Sequence, residues 1–229
     1  MEIKFIGNGS GFSKTNNNAF FEYKNELIII DVSMLNMNKI KEIFDFKKYK
    51  KINIFITHMH ADHISGLPNL IQYLNYTFNI VVNVISPYKI KKDIITFLNI
   101  TGVHDNQYKL KSIKGNDNYN YEYLVNVIET PHSDRMYSYG YVFNINKKIC
   151  VYTGDTRTLN NFNKYLDSCD EAYIDTSYNS NKIHVSFEYL KNNLPKSKHI
   201  YLMHVDEEEK LKNEVKDLKN VEVVKIYER

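Results

Sequence analysis

A buried strand that runs straight into a cluster of histidines constrains this chain more than any other feature. Lys51-Ile52-Asn53-Ile54-Phe55-Ile56 carries β-branched and apolar side chains in the pattern of a buried strand, and stops at Thr57. His58-Met59-His60-Ala61-Asp62-His63 follows, with three imidazoles and a carboxylate in six residues. While the backbone stays extended, His58 and His60 point to one side of it. Past the bend, Asp62 and His63 can face a second point nearby. Neutral imidazoles with a carboxylate suit Zn²⁺ first, then Mn²⁺ or Fe²⁺. A solvated polar loop of this histidine content would give the pattern by chance in roughly one chain per thousand.

Three more candidate ligands each close an apolar run. They are His132 after Val127-Ile128-Glu129-Thr130-Pro131, Asp155 after Cys150-Val151-Tyr152-Thr153-Gly154, and His204 after Ile200-Tyr201-Leu202-Met203. One such histidine is ordinarily a hydrogen-bonded surface residue. Three such residues in a chain that already carries His58–His63 point to convergence on one centre. His104 and His199 fall outside this set and are read as incidental.

The rest of the pattern alternates strands and helices. Glu2–Ile6, Ala19–Tyr23 and Glu26–Val32 read as strands, the last ending in an apolar run before Asp31. Asn38–Lys48 reads as an amphipathic helix, and Leu67, Leu70, Ile71 and Leu74 carry helical spacing from Gly66 onward. Ile80–Ile85 is a strand and Tyr88–Leu98, after Pro87, a helix. Strands follow at Tyr108–Ile113, Tyr121–Glu129, Tyr139–Ile145 and Lys148–Tyr152. The tail alternates Ala172–Ile174, a helix at Ser186–Asn192, His199–Met203, a helix at Glu207–Lys219, and Val221–Ile226. The Asn-rich patches Thr15–Asn18 and Asn116–Asn120 read as loops. Strand blocks with interspersed helices, twice over, predict sheets packed together and covered by helices, in one domain over residues 1–229.

Composition excludes several classes. The formal net charge is +3, and only Arg135, Arg157 and Arg229 offer the guanidinium fork, so the chain lacks an obvious grip for a large RNA. No stretch approaches the roughly 20 apolar residues of a bilayer span, and the start MEIKFIGNGSGF resembles neither a signal peptide nor an anchor. Cys150 and Cys169 are expected to stay thiols in a cytoplasmic, reducing setting.

In order along the chain, Asp31, THMHADH, His132, GDT with Asp155, and His204 resemble the metallo-β-lactamase superfamily signature over almost the whole length. The resemblance implies an α+β fold, an αββα sandwich of two mixed sheets flanked by helices, with the site at one edge between the sheets. It implies two divalent ions, Zn²⁺ or alternatively Mn²⁺. One would be held by His58, His60 and His132, the other by Asp62, His63 and His204, with Asp155 between them. Asp31 would order the ligand loop without being a ligand.

Within that superfamily the chain is most similar to RNase Z-like phosphodiesterases. The carriers are THMHADHISGLP, Ser138-Tyr139-Gly140-Tyr141, Tyr152-Thr153-Gly154-Asp155-Thr156-Arg157, and Ile174-Asp175-Thr176-Ser177 followed by Ile183-His184-Val185-Ser186. The resemblance implies hydrolysis of a phosphodiester by metal-activated hydroxide, with Asp62 in the catalytic centre. His184 would be the general acid and Asp175, in place of the family's usual glutamate, would hold its cationic form. Full tRNA-processing members carry a long arm, commonly between the third and fourth motifs, yet His132 and Asp155 are only 23 residues apart. A small nucleotide is therefore the expected substrate, as in compact cyclic-nucleotide phosphodiesterases of the anti-Pycsar type. Nucleic acid is disfavoured, no membrane partner is expected, and a homodimer is. The alternatives are a tRNA 3′-endonuclease and a protein that holds a nucleotide without cleaving it. Tyr137, Tyr139 and Tyr178, near the motifs, are candidates to stack on a base.

Overall fold

A computed structural model describes residues 1–115, 121–179 and 182–229. The predicted loop Asn116–Asn120 lies outside the described residues. Among the described residues twelve strands form two six-stranded sheets. The first is β1 (Lys4–Gly7), β2 (Asn18–Tyr23), β3 (Glu26–Ile30), β4 (Lys51–Phe55), β5 (Val82–Pro87) and β6 (Tyr108–Ile113), in sequence order. The second is β7 (Leu124–Thr130), β8 (Ser138–Ile145), β9 (Lys148–Tyr152), β10 (Glu171–Asp175), β11 (His199–Met203) and β12 (Val221–Val223), also neighbours in order. Each sheet begins with antiparallel hairpins and continues in parallel, from β3 to β6 and from β9 to β12. Both sheets are therefore mixed, as expected.

Side-chain alternation explains the layers. Tyr141, Phe143, Tyr152 and Tyr173 belong to the core between the sheets, whereas Val142, Val151, Ala172 and Ile174 belong to a second core on the outer face. Successive strand residues face opposite ways, so the second sheet is buried on both sides. Aromatic rings fill the gap between sheets: Phe55 lies 5.3 Å from Tyr141 and 5.7 Å from Phe143 (centroids), and Phe21 lies 5.1 Å from Phe143. Each edge-on ring pair is worth about 0.5–1.5 kcal/mol beyond the area it buries. Helices α1 (Met37–Ile43), α2 (Ala61–Ile64), α3 (Leu67–Phe78) and α4 (Lys91–Ile100) accompany the first sheet. Helices α5 (Asn163–Leu166), α6 (Phe187–Asn192) and α7 (Glu208–Val215) accompany the second. The αββα expectation is met.

Three local expectations need correction. The helix read over Asn38–Lys48 ends at Ile43, because Phe44 turns extended and seats its ring 4.8 Å from Phe20 before a short 3-10 turn at Phe46–Lys48. The last strand stops at Val223, and Ile226 instead pairs with Phe5 of the first sheet. The patch Thr15–Asn18, read as a loop, gives Asn18 to β2, and Asn16, Asn17 and Asn18 are buried, with Asn36 Nδ2 donating to both Asn16 O and Asn18 Oδ1.

Candidate metal centre

Six strands end at one edge of the sandwich and deliver the site there, as open α/β sheets do at their carboxyl ends. Asp31 follows β3; Thr57–His60 and then α2 follow β4; His132 follows β7; Asp155 follows β9; Asp175 closes β10; and His204 follows β11. Tyr141 donates to Ile56 O and so ties the end of β4 to the second sheet. The turn before Asp155 needs Gly154, which has φ +58; a Cβ there would lie 2.3 Å from Tyr139 O.

The predicted residues converge as two donor triads around one oxygen. His60 Nδ1 lies 2.9 Å from His58 Nε2 and 3.1 Å from His132 Nε2. Asp62 Oδ2 lies 3.2 Å from both His63 Nε2 and His204 Nε2. Asp155 Oδ2 stands between the triads, 3.7 Å from His58 Nε2 and His132 Nε2 and 3.4 Å from His63 Nε2 and His204 Nε2.

The outward ring nitrogens fix which lone pairs turn inward. His132 Nδ1 donates to Ile183 O at 2.9 Å, and His63 Nδ1 donates to Asp31 Oδ2 at 2.8 Å. Thr57 Oγ1 donates to Asp31 Oδ2, so the 2.9 Å contact of Thr57 Oγ1 with His58 Nδ1 has the ring as donor. Asp31 Oδ1 also accepts from Thr57 N at 2.8 Å. Asp31 thus sits beneath the histidine loop, as expected, and holds both its start and His63.

The donor set fits metal ions on an observation of its own. His63 Nε2 and Asp155 Oδ1 are buried without a hydrogen-bond partner. Such orphaned groups cost free energy unless something satisfies them. Electrostatics point the same way. Burial opposes charge on His63 and His204, yet Asp155 with Asp31 holds His63 well above the ordinary histidine range, and Asp155 with Asp175 and Asp62 pushes His204 up to about 10. Asp155, though buried, is held well below the carboxylate range by His204, His63 and His58. Burial and the neighbouring His63 charge drive His58 well down. The carboxylates thus favour positive charge at His63 and His204, whereas burial disfavours it at His58.

His184 stands beside this cluster, with ring centroids 5.0 Å from His132 and 4.8 Å from His204. Its Nδ1 bonds Asp175 Oδ2 at 2.8 Å, which also accepts from Thr156 N. Burial disfavours its charged form, but Asp175 overrides this and raises His184 above the usual histidine value.

Of these groups His60, Asp62, His132, Asp155, His184 and His204 border a cleft of about 540 Å³. Among its other walls, Ser10, Gly11, Phe12 and Asp206 escaped the sequence reading, whereas Ser177 and Ile183 flank the Asp175 and His184 motifs. The tyrosine expectation is not met in this cleft. Tyr139 is buried, Tyr178 packs on the second core, and Tyr137 lines a neighbouring cleft that shares His132. The missed signal was Phe12, an aromatic between Gly11 and Ser13 ahead of the Asn run.

Two mixed sheets between helix layers, with a histidine–aspartate edge, define a metallo-β-lactamase fold. The chain belongs to the family described as "Anti-Pycsar protein Apyc1", whose model matches residues 1–227. It is 29% identical over 113 residues to "Ribonuclease Z" of Lactococcus lactis subsp. cremoris (strain MG1363), a match covering 45% of this chain and 36% of that protein. The matched stretch is thus about a third of that relative's length. The crystal structure of the metallo-β-lactamase fold protein YhfI from Bacillus subtilis superposes with TM-score 0.80 at 14% identity, covering 98% of this chain and 96% of that one. Human tRNase Z, short form (ELAC1), superposes with TM-score 0.74 at 15% identity, covering 100% and 98%. Both structures share the fold.

Proposed function

We propose that this chain is a dinuclear-metal phosphodiesterase that hydrolyses small phosphodiesters, 3′,5′-cyclic nucleotides foremost, with residues 1–229 acting as one domain. In this reading His58 Nε2, His60 Nδ1 and His132 Nε2 hold one ion, and Asp62 Oδ2, His63 Nε2 and His204 Nε2 hold the other. Asp155 is shared. Zn²⁺ is the first candidate for this imidazole and carboxylate set, Mn²⁺ the second. Bound divalent ions supply activation of water and neutralise charge on the phosphodiester oxygens. The observation that carries the reading is the position of Asp155 Oδ2, 3.4–3.7 Å from four imidazole nitrogens of both triads.

His184 is the proposed general acid. Asp175 accepts from its Nδ1 and favours the doubly protonated ring, whose Nε2 proton passes to the leaving ester oxygen as the P–O bond breaks. Asp175 is a positioning residue that favours the imidazolium and bonds Thr156 N. Asp31 orders the loop.

Two observations favour a small substrate. The cleft has the size of sites for small molecules, about 300–1,000 Å³. Between His132 and Asp155 the chain forms only the Ser133–Tyr137 turn and the hairpin β8–β9. The match to Ribonuclease Z favours a second reading, cleavage of precursor tRNA. We further propose a homodimer in the cytoplasm, a setting suited to two buried free thiols; sedimentation velocity checks the oligomeric state. Among the described residues no helix is long and apolar enough to cross a membrane.

The test is a panel of cyclic and linear nucleotides and precursor tRNA, with metal analysis of the same sample. Cyclic nucleotides should turn over. His184→Ala should keep both ions while the rate falls about 10²–10⁴-fold; loss of metal in that variant refutes the acid assignment. Cleavage of precursor tRNA with cyclic nucleotides untouched would replace the substrate reading, and tight nucleotide binding with no product would replace catalysis by sequestration.

A further inference from the structure

Phe12 is the most exposed large apolar side chain described, at 106% relative exposure, yet the residues on either side of it, Ser10 and Ser13, are hydrogen-bonded into the fold. Ser10 N donates to Val205 O at 3.0 Å and Ser13 Oγ to the same oxygen at 3.3 Å, next to His204. Ser13 N closes the turn onto Ser10 O at 3.0 Å. A side chain at Gly9 would collide with Thr15 O at 2.3 Å, and one at Gly11 would sit 3.2 Å from Asp62 Oδ2. The turn is thus bonded to the segment carrying His204 and passes close to Asp62, and Phe12 on it lines the cleft.

A rigid turn that presents a phenyl ring to water serves no packing purpose. Exposing apolar area costs roughly 25 cal/mol per Å² relative to burying it, and a ring face is a platform for any base. Ile183, 40% exposed, lies on the wall beside His184. We infer that Phe12 is the platform on which the nucleobase of the substrate stacks, with the phosphodiester reaching past it to the donor triads. This deepens the proposed function and rests on it. Phe12 then sets affinity for the nucleoside while leaving the bond-breaking groups untouched, and its sequence-tolerant π-face predicts broad base preference.

The chain contains no tryptophan, so Phe12→Trp creates a single fluorescent reporter on the platform. In the metal-loaded protein, a 3′,5′-cyclic nucleotide should quench that fluorescence, whereas base-free ribose 3′,5′-cyclic phosphate should not. Phe12→Ala should lower kcat/KM for cyclic nucleotides about 10–100-fold, mainly through KM, and leave the base-free compound unaffected. Equal effects on both compounds, or an unchanged KM, overturn the platform while the phosphodiesterase reading stands. Quenching by nucleotides in a chain that hydrolyses none of them overturns the phosphodiesterase reading while the platform stands. Absence of both quenching and turnover removes both.

Discussion

Asp31 offers the most discriminating perturbation, because two substitutions there should fail in different ways. Its carboxylate accepts from Thr57 N, Thr57 Oγ1 and His63 Nδ1 at 2.7–2.8 Å, and the residue is fully buried with φ +60. Asp31→Ala leaves three buried donors unpaired, at about 1–3 kcal/mol each before relaxation, so a net loss of about 3–5 kcal/mol is expected. For a chain of this length that is roughly a 6–20 °C fall in Tm. Asp31→Asn keeps the shape and tolerates the left-handed backbone. Its amide Oδ1 still accepts from Thr57 N, but its NH₂ faces His63 Nδ1, where a proton was donated. His63 then settles in the other tautomer, with its proton on Nε2, the atom that faces Asp62 and Asp155. The Asn variant should therefore fold nearly as well as the native chain yet bind metal at the Asp62–His63–His204 triad about 10–100-fold more weakly. Chelator competition with zinc, alongside calorimetric melting, separates the two effects. Two ions bound at native affinity in Asp31→Asn would refute the tautomer argument.

Two further outcomes follow from the same geometry. Gly154→Ala places a Cβ 2.3 Å from Tyr139 O at a left-handed φ, so it should destabilise the fold by about 3 kcal/mol or more and displace Asp155; melting and metal stoichiometry should fall together. Asp206, partly buried, accepts from Ser177 Oγ, Tyr178 N and Asn179 N, and these bonds outweigh burial and lower its pKa. A depressed folded-state pKa gives stability that is present above the unfolded value of 3.8 and is lost as pH falls through the folded one. The Tm gap between native chain and Asp206→Asn should accordingly be constant near neutrality and close below about pH 4; a gap that ignores pH removes the charge from the explanation.

What the sequence disclosed was whatever depends on local periodicity and on strand ends. Leu67, Leu70, Ile71 and Leu74 marked α3, and apolar runs that stop at His, Asp or Thr marked all seven groups of the two triads and the shared carboxylate. What escaped it depends on partners far along the chain. Asn16 and Asn18 looked like loop composition because Asn36 and Ser33, which bury their amides, lie 15–20 positions away. Phe44 broke a good helical pattern because its ring seats against Phe20. Phe12 went unnoticed because an aromatic outside any periodic run carries no signal until the turn that lifts it is folded. Motif order named residues that the fold brings to one edge; only the fold shows that Phe12 lines the same cleft.

The backbone at the site carries one more regularity. Asp31 has φ +60, Gly154 φ +58 and His204 φ +55, and each lies one or two residues past the end of β3, β9 or β11. Left-handed conformation costs a non-glycine residue of order 1–3 kcal/mol, and it persists only where surrounding structure over-determines it. Here the surroundings do so: Asp31 is held by Thr57 and His63, and His204 lies between Asp62, Asp155 and Asp175. The geometric reason is common to all three. A strand that simply continued would send alternate side chains above and below its sheet; a left-handed step directly after its end breaks that alternation, at Asp31 and His204 themselves and just before Asp155. Sheets of opposite halves can then aim at one point although their strands never pair. The strain therefore sits at Asp31 and His204, while at the turn before Asp155 a glycine supplies the left-handed step without it.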